Sequence, residues 1–334
     1  MIRELWEDRI LGEGFGESTF KLFESNDGLE DMNAPPYFVV WLHGMHNGLI
    51  GEKDLRTMQW RLGRKVIFMV PLSPKPCDGL HFNWGCAFTK QQNKKELGFV
   101  FGYLHYNYLR AFTDKIVELA NWFNSERVLI MGYSMGGFGA IQAGTFAPEA
   151  FDAVVSVAGY GLGTSEAKSG YGAPQPRSGY IFEEFLEKEA AKLAKVPVFL
   201  AVHAPSDMCS SFRDVSAIIK KTQDTAWQTW APSTAKLVQV PDWMANSDHP
   251  NKKRKSNHAY FNCTLLHNGS EQMLWAELRR LLETAPPRQL SSAWPPASAP
   301  APALPEAWSQ WQPWEPWRKR RQVGRWTQEV TAWA

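Results

Sequence analysis

The strongest constraint on the fold of this 334-residue chain is a series of short apolar runs spaced along it. Tyr37–Leu42 (YFVVWL) lies between Pro36 and Gly44, and Val66–Val70 (VIFMV), Val128–Met131 (VLIM), Ala153–Val157 (AVVSV), Val196–Val202 (VPVFLAV) and Leu237–Val240 repeat the pattern. Runs of this length, rich in β-branched and aromatic residues, suit strands covered on both faces. Thr19–Phe23 instead alternates apolar and polar residues, as a half-exposed strand does. Helical stripes lie between several of these runs. Leu109, Phe112, Ile116, Leu119, Ala120 and Phe123 fall three and four apart, and Ile181, Phe182, Phe185, Leu186, Ala190 and Leu193 do the same. Met273, Leu274, Leu278, Leu281 and Leu282 make a third stripe. Strands alternating with helices need crossover connections, so the expected fold is α/β, with a mostly parallel sheet and helices on both faces.

Composition sets the remaining bounds. With 44% hydrophobic residues the chain can bury one large core. After Ala285 the sequence turns to Pro, Ala, Gln and Trp, with seven tryptophans in the last stretch. Frequent prolines bar it from a helix or a central strand. The expectation is a catalytic domain over 1–285 and an irregular, low-complexity tail over 286–334, its tryptophans a contact for a protein partner. A formal net charge of +2 argues against nucleic acid as a partner. The basic clusters Lys252–Lys255 and Arg318–Arg321 read as solvated. Cys77, Cys86, Cys209 and Cys263 form no CxxC pair, so neither a zinc site nor a disulfide framework is indicated. Gly12, Gly14 and Gly16 lack the preceding strand of a dinucleotide site, and no cofactor is expected. No uncharged apolar stretch reaches membrane-spanning length, and the opening MIRELWEDRILGEG has no secretory h-region. A soluble, cytoplasmic protein is the expectation.

The chemistry begins where VLIM runs into Gly132-Tyr133-Ser134-Met135-Gly136-Gly137, followed by helix-compatible sequence. A G-x-S-x-G between a strand and a helix is a nucleophile elbow: a sharp turn exposes the serine hydroxyl at strained backbone angles. The glycines remove Cβ atoms that would collide there, and the new helix aims its positive end at a developing oxyanion. Ser134 is the expected nucleophile. Of the two oxyanion donors, one is the N–H of Met135 and the other belongs to the loop after an earlier strand, where WLHGMHNG makes Met45 the candidate. His43 and His46 in that loop lack a carboxylate to complete a metal site.

The acid and then the histidine should follow the serine along the chain. Val196–Val202 leads into His203-Ala-Pro-Ser-Asp207, which places Asp207 at a strand's carboxyl end, with Asp214, Asp224 and Asp242 as fallbacks. His249, His258 and His267 follow the last strand. His258, in SNHAYFNCTLL, is preferred over His267; His249 lies in a polar, basic stretch.

The run FTDKIVELANWF…ERVLIMGYSMGGFGAIQAGTFAPEAFDAVVSVAGYG, from Phe112 to Gly161, resembles α/β-hydrolases of the poly(3-hydroxybutyrate) depolymerase-like, feruloyl-esterase-like and phospholipase/carboxylesterase-like kinds. His203-Ala-Pro-Ser-Asp207 is similar to their HGxxD acid loop, with Ala204 in place of the glycine, and Ser270–Trp275 looks like the helix that follows their catalytic histidine. The resemblance covers roughly 37–283 and implies the α/β-hydrolase fold, a serine esterase, the acid role for Asp207 and the base role for His258. The expected substrate is a small-molecule ester. Thioesterase, lysophospholipase or peptidase activity would use the same groups, and a scaffold presenting the Trp/Pro tail without catalysis is the alternative from another class.

Overall fold

The computed structural model describes residues 2–12, 16–26, 28, 33–44, 50–72, 106–159, 185–207, 210–231, 233–241, 274–286 and 288. Strands β1 (Ile2–Gly12) and β2 (Gly16–Ser25) pair antiparallel, and β2 pairs antiparallel with β4 (Val66–Pro71). The others are β3 (Tyr37–Leu42), β5 (Arg127–Tyr133), β6 (Ala153–Val157), β7 (Val198–His203) and β8 (Thr234–Gln239). The eight form one sheet in the order β1-β2-β4-β3-β5-β6-β7-β8, parallel from β4 onward.

Both faces of the central strands are buried, which is why their sequences read as continuous apolar runs. Val39, Trp41, Phe68, Leu129, Met131, Val155 and Leu200 point to one side, where Leu55, Met58 and Leu62 of α1 (Glu52–Leu62) and Leu278, Leu281 and Leu282 of α5 (Ala276–Thr284) meet them. The residues between them, among them Phe38, Val40, Ile130, Val154 and Phe199, are equally buried on the other side. Three further helices complete the described set: α2 (Tyr106–Trp122), α3 (Met135–Phe146) and α4 (Phe212–Thr229).

Several elements depart from the sequence reading. The stripe from Ile181 to Leu193 is not one helix where it is described: a turn of helix at 185–188 gives way to a 3₁₀ segment, Ala190–Lys195. Strand β7 begins at Val198, because Pro197 has no N–H to give a ladder. Edge strand β8 starts three residues before the apolar run at Leu237, since only part of it is covered. Strand β1 and helices α1 and α4 were not anticipated.

At the amino ends of the parallel strands, a buried ion cluster ties distant segments together. Asp152, fully buried, accepts from the Arg127 guanidinium (3.1 Å), the Val128 N–H (2.7 Å) and the Arg288 N–H (2.8 Å). Arg127 also donates to the carbonyls of Leu282 in α5 and Ala285 just beyond it, and Arg288 donates to the Ala150 carbonyl. The chain divides into compact units Met1–Ala297 and Ser298–Ala334, and the second lies wholly outside the described residues.

Candidate active site

The chain leaves β3 for β4 on one side and later returns to β5 on the other, so the strand order reverses between β3 and β5. In an open α/β sheet such a switch point opens a crevice at the carboxyl ends of the strands, where ligands bind. Ser134 follows β5 directly.

Ser134 has φ 57° and ψ −118°. A non-glycine residue held in that region stores about 1–3 kcal/mol of strain, which the surroundings must offset. The Ser134 N–H donates to the Val157 carbonyl of β6 (2.8 Å), and its carbonyl accepts from the Phe138 N–H (3.1 Å). Its hydroxyl does not cap α3, so the serine is not there as an ordinary helix N-cap. Two glycines permit the turn. A Cβ on Gly132 would lie 2.2 Å from the Gly136 carbonyl oxygen, and one on Gly136 would lie 2.2 Å from the Leu42 carbonyl oxygen and 2.5 Å from that of His43.

That second contact presses the end of β3 onto the first turn of α3. The loop that continues as His43-Gly44 therefore starts beside the N–H groups of this turn, which have no partner within the helix and carry the positive end of its dipole. Met135 opens α3. Met45 lies outside the described residues, as does His46. His43 is buried, and its Nδ1 lies 2.7 Å from the Gly44 carbonyl oxygen, so the proton sits on Nδ1. Burial pulls its pKa down to about 4, partly opposed by that bond to Gly44, and the ring is neutral at pH 7.

Asp207 stands in the turn after β7, its N–H bonded to the Ala204 carbonyl (3.1 Å) and its carboxylate buried. Oδ1 accepts from the Ser210 N–H and Oδ2 from the Ser210 hydroxyl, each at 3.0 Å. His203, the last residue of β7, lies beneath, with Nε2 3.7 Å from Asp207 Oδ2. Of the fallback acids, Asp214 is buried in the first turn of α4, Asp224 is on the same helix, and Asp242 lies outside the described residues. His249, His258 and His267 all lie outside them.

Ser210 and His203 were not anticipated as site residues. The signal for Ser210 in the sequence is the spacing Asp-x-x-Ser, in which an aspartate accepts from the amide three residues on, as at a helix start.

Among known families, the Esterase model, described as "Putative esterase", matches residues 102–320. No curated protein matches the chain. Among solved structures, a thermostable esterase is similar with TM-score 0.51 at 16% identity, covering 86% of this chain and 63% of that one. Brefeldin A esterase, a bacterial homologue of human hormone-sensitive lipase, is similar at TM-score 0.47 and 14% identity, over 84% of this chain and 78% of that one. An S-formylglutathione hydrolase from Agrobacterium tumefaciens gives TM-score 0.46 and 17% identity, over 83% of this chain and 94% of that one. The chain thus spans less than two thirds of the thermostable esterase it matches. That likeness fits the strand order and the elbow: the architecture is the α/β-hydrolase fold. The match runs through the elbow and the turn at Asp207, and the chain belongs to the Esterase family.

Proposed function

We propose that this chain hydrolyses carboxylic esters through an acyl-enzyme. Ser134 Oγ attacks the ester carbonyl carbon while His258 takes the hydroxyl proton. The N–H groups of Met135 and Met45 hold the oxyanion of the tetrahedral intermediate. His258 then passes its proton to the departing alkoxide, and Asp207 keeps the imidazole in the right tautomer and stabilises its cation. Water, deprotonated by His258, attacks the acyl-enzyme; collapse of the second intermediate releases the acid and returns the proton to Ser134. The GYSMGG elbow and the HAPSD turn resemble those of depolymerase-like, feruloyl-esterase-like and phospholipase/carboxylesterase-like enzymes alike, and the substrate is a small-molecule ester.

The observation that carries this reading is the backbone of Ser134, held at φ 57° between β5 and α3 with its hydroxyl not spent on a cap. A fluorophosphonate probe tests it. The folded protein should be labelled at Ser134 and Ser134→Ala should not. Failure of the folded wild-type protein to label would remove the nucleophile assignment, and hydrolysis of p-nitrophenyl esters of rising chain length then ranks the acyl groups.

A further inference from the structure

The acid turn contains more than the acid. Ser210, almost wholly buried, reaches Asp207 with two donors at once: its N–H to Oδ1 and its hydroxyl to Oδ2. Two bonds from one residue to the two oxygens fix the carboxylate plane, which a single bond would leave free to rotate. Behind Ser210, the buried His203 ring places Nε2 3.0 Å from the Ser210 hydroxyl and 3.2 Å from its carbonyl oxygen. With its proton on Nε2, His203 donates to Ser210 and leaves the hydroxyl hydrogen to point at Asp207. His203 is itself fixed: its carbonyl accepts from the Val240 N–H (2.9 Å), and its ring meets Phe212 edge-on at 6.0 Å. The chain of donors thus runs from a rigid strand end, through a serine, to the carboxylate.

Resting on the triad reading above, we propose that Ser210 is a positioning residue for catalysis: its paired bonds, backed by His203, hold the Asp207 carboxylate in the plane from which it orients the catalytic imidazole. An ionised carboxylate offers about four acceptor sites, and Ser210 occupies one on each oxygen, so the arrangement is compatible with a further bond from an imidazole N–H. The role is orientation rather than contact with substrate. Losing it lowers turnover and leaves substrate binding alone, because a base misaligned by about an ångström costs rate in the transition state.

The experiment compares Ser210→Ala, Ser210→Thr and His203→Gln with the wild-type chain on one p-nitrophenyl ester, with Ser134→Ala alongside. Ser210→Ala should lower kcat at least tenfold with KM changed less than twofold, and should slow fluorophosphonate labelling by a similar factor. Ser210→Thr keeps the hydroxyl and should recover most of that loss; His203→Gln keeps a donor and should fall between. Ser210→Ala with kcat within twofold of wild type, beside an inactive Ser134→Ala, overturns the positioning role and leaves the nucleophile standing. Loss in Ser210→Ala that threonine does not recover, with a matching fall in Tm, also overturns it, because the residue then serves only the fold. An active Ser134→Ala removes the triad reading itself, and that outcome does not depend on Ser210.

Discussion

At the scale of single residues, the side chain whose deletion is most informative is Ser134. Its strained backbone is held by main-chain bonds to the neighbouring strand and helix, which an alanine also makes, so Ser134→Ala removes the proposed nucleophile and keeps those bonds. Ester turnover should fall by about 10⁶-fold, the loss seen for comparable nucleophile deletions, with the circular dichroism spectrum unchanged. Retention of more than about a hundredth of the activity would end the assignment. His43 makes a second prediction, in stability rather than rate. Its folded pKa of about 4 lies below the 6.5 of an unfolded histidine, so between these values the unfolded chain binds the proton and the folded chain does not. Stability is therefore complete above pH 6.5 and falls as pH drops toward 4, by roughly 3 kcal/mol from this one ring. Urea melts at pH 7, 5.5 and 4.5 should show that decline, and His43→Asn should flatten it. An equally steep decline in the variant would assign the effect to other groups.

At the scale of elements, the contact between the end of β3 and the first turn of α3 joins the loop proposed to hold the oxyanion to the elbow. Gly136→Ala puts a methyl group against two backbone carbonyls that belong to a buried strand end and cannot swing away as a side chain would. The expected cost is about 3 kcal/mol, at the upper end for overpacking, together with loss of activity as His43-Gly44 is pushed outward. A variant with wild-type Tm and turnover would show that the contact is slack. The same elements show what was legible in the sequence. Strands β3 to β6 were readable almost to the residue, since burial on both faces leaves no room for polar side chains. Strand β1 was not: it lies at the sheet edge, most of its middle is exposed, and Arg3, Glu4, Glu7 and Asp8 interrupt the apolar positions Ile2, Trp6 and Ile10. Helix α1 buries only Leu55, Met58 and Leu62 as its apolar stripe, amid charges that mask it. Helix α4, by contrast, carries a readable stripe in Val215, Ile218, Ile219 and Ala226. The elbow at Ser134 was legible because its turn demands glycines at fixed places. Ser210 was not, because a serine that braces a carboxylate looks in sequence like any turn serine.

At the scale of the whole molecule, the sheet has two working edges. Ser134, His43 and Asp207 follow the carboxyl ends of β5, β3 and β7, whereas Arg127 and Asp152 mark the amino ends of β5 and β6. The cluster there fastens α5 and the chain up to Arg288 to the sheet, at the edge away from the proposed catalytic groups. Removing Asp152 would leave two buried guanidinium groups short of their counter-charge, so Asp152→Ala should destabilise by about 3–5 kcal/mol. The cluster also separates two truncations that composition alone would treat as one. Deleting 290–334 removes most of the Pro/Trp-rich tail and keeps Arg288, whereas deleting 286–334 takes Arg288 away. With it go the bond from its N–H to Asp152 and the bond from its guanidinium to the Ala150 carbonyl. The shorter deletion should keep small-ester turnover within about twofold and Tm nearly unchanged, because proline-rich terminal segments rarely supply catalytic groups. The longer one should cost about 2 kcal/mol, or roughly 4–8 °C in Tm, and Arg288→Ala in the full chain, which loses the guanidinium but keeps the backbone N–H bond to Asp152, should give part of that fall. Differential scanning calorimetry and p-nitrophenyl ester turnover on the three proteins decide the matter. Equal Tm values for the two truncations would show that Arg288 holds nothing, and a well-folded but inactive 290–334 deletion would place part of the catalytic apparatus in the tail.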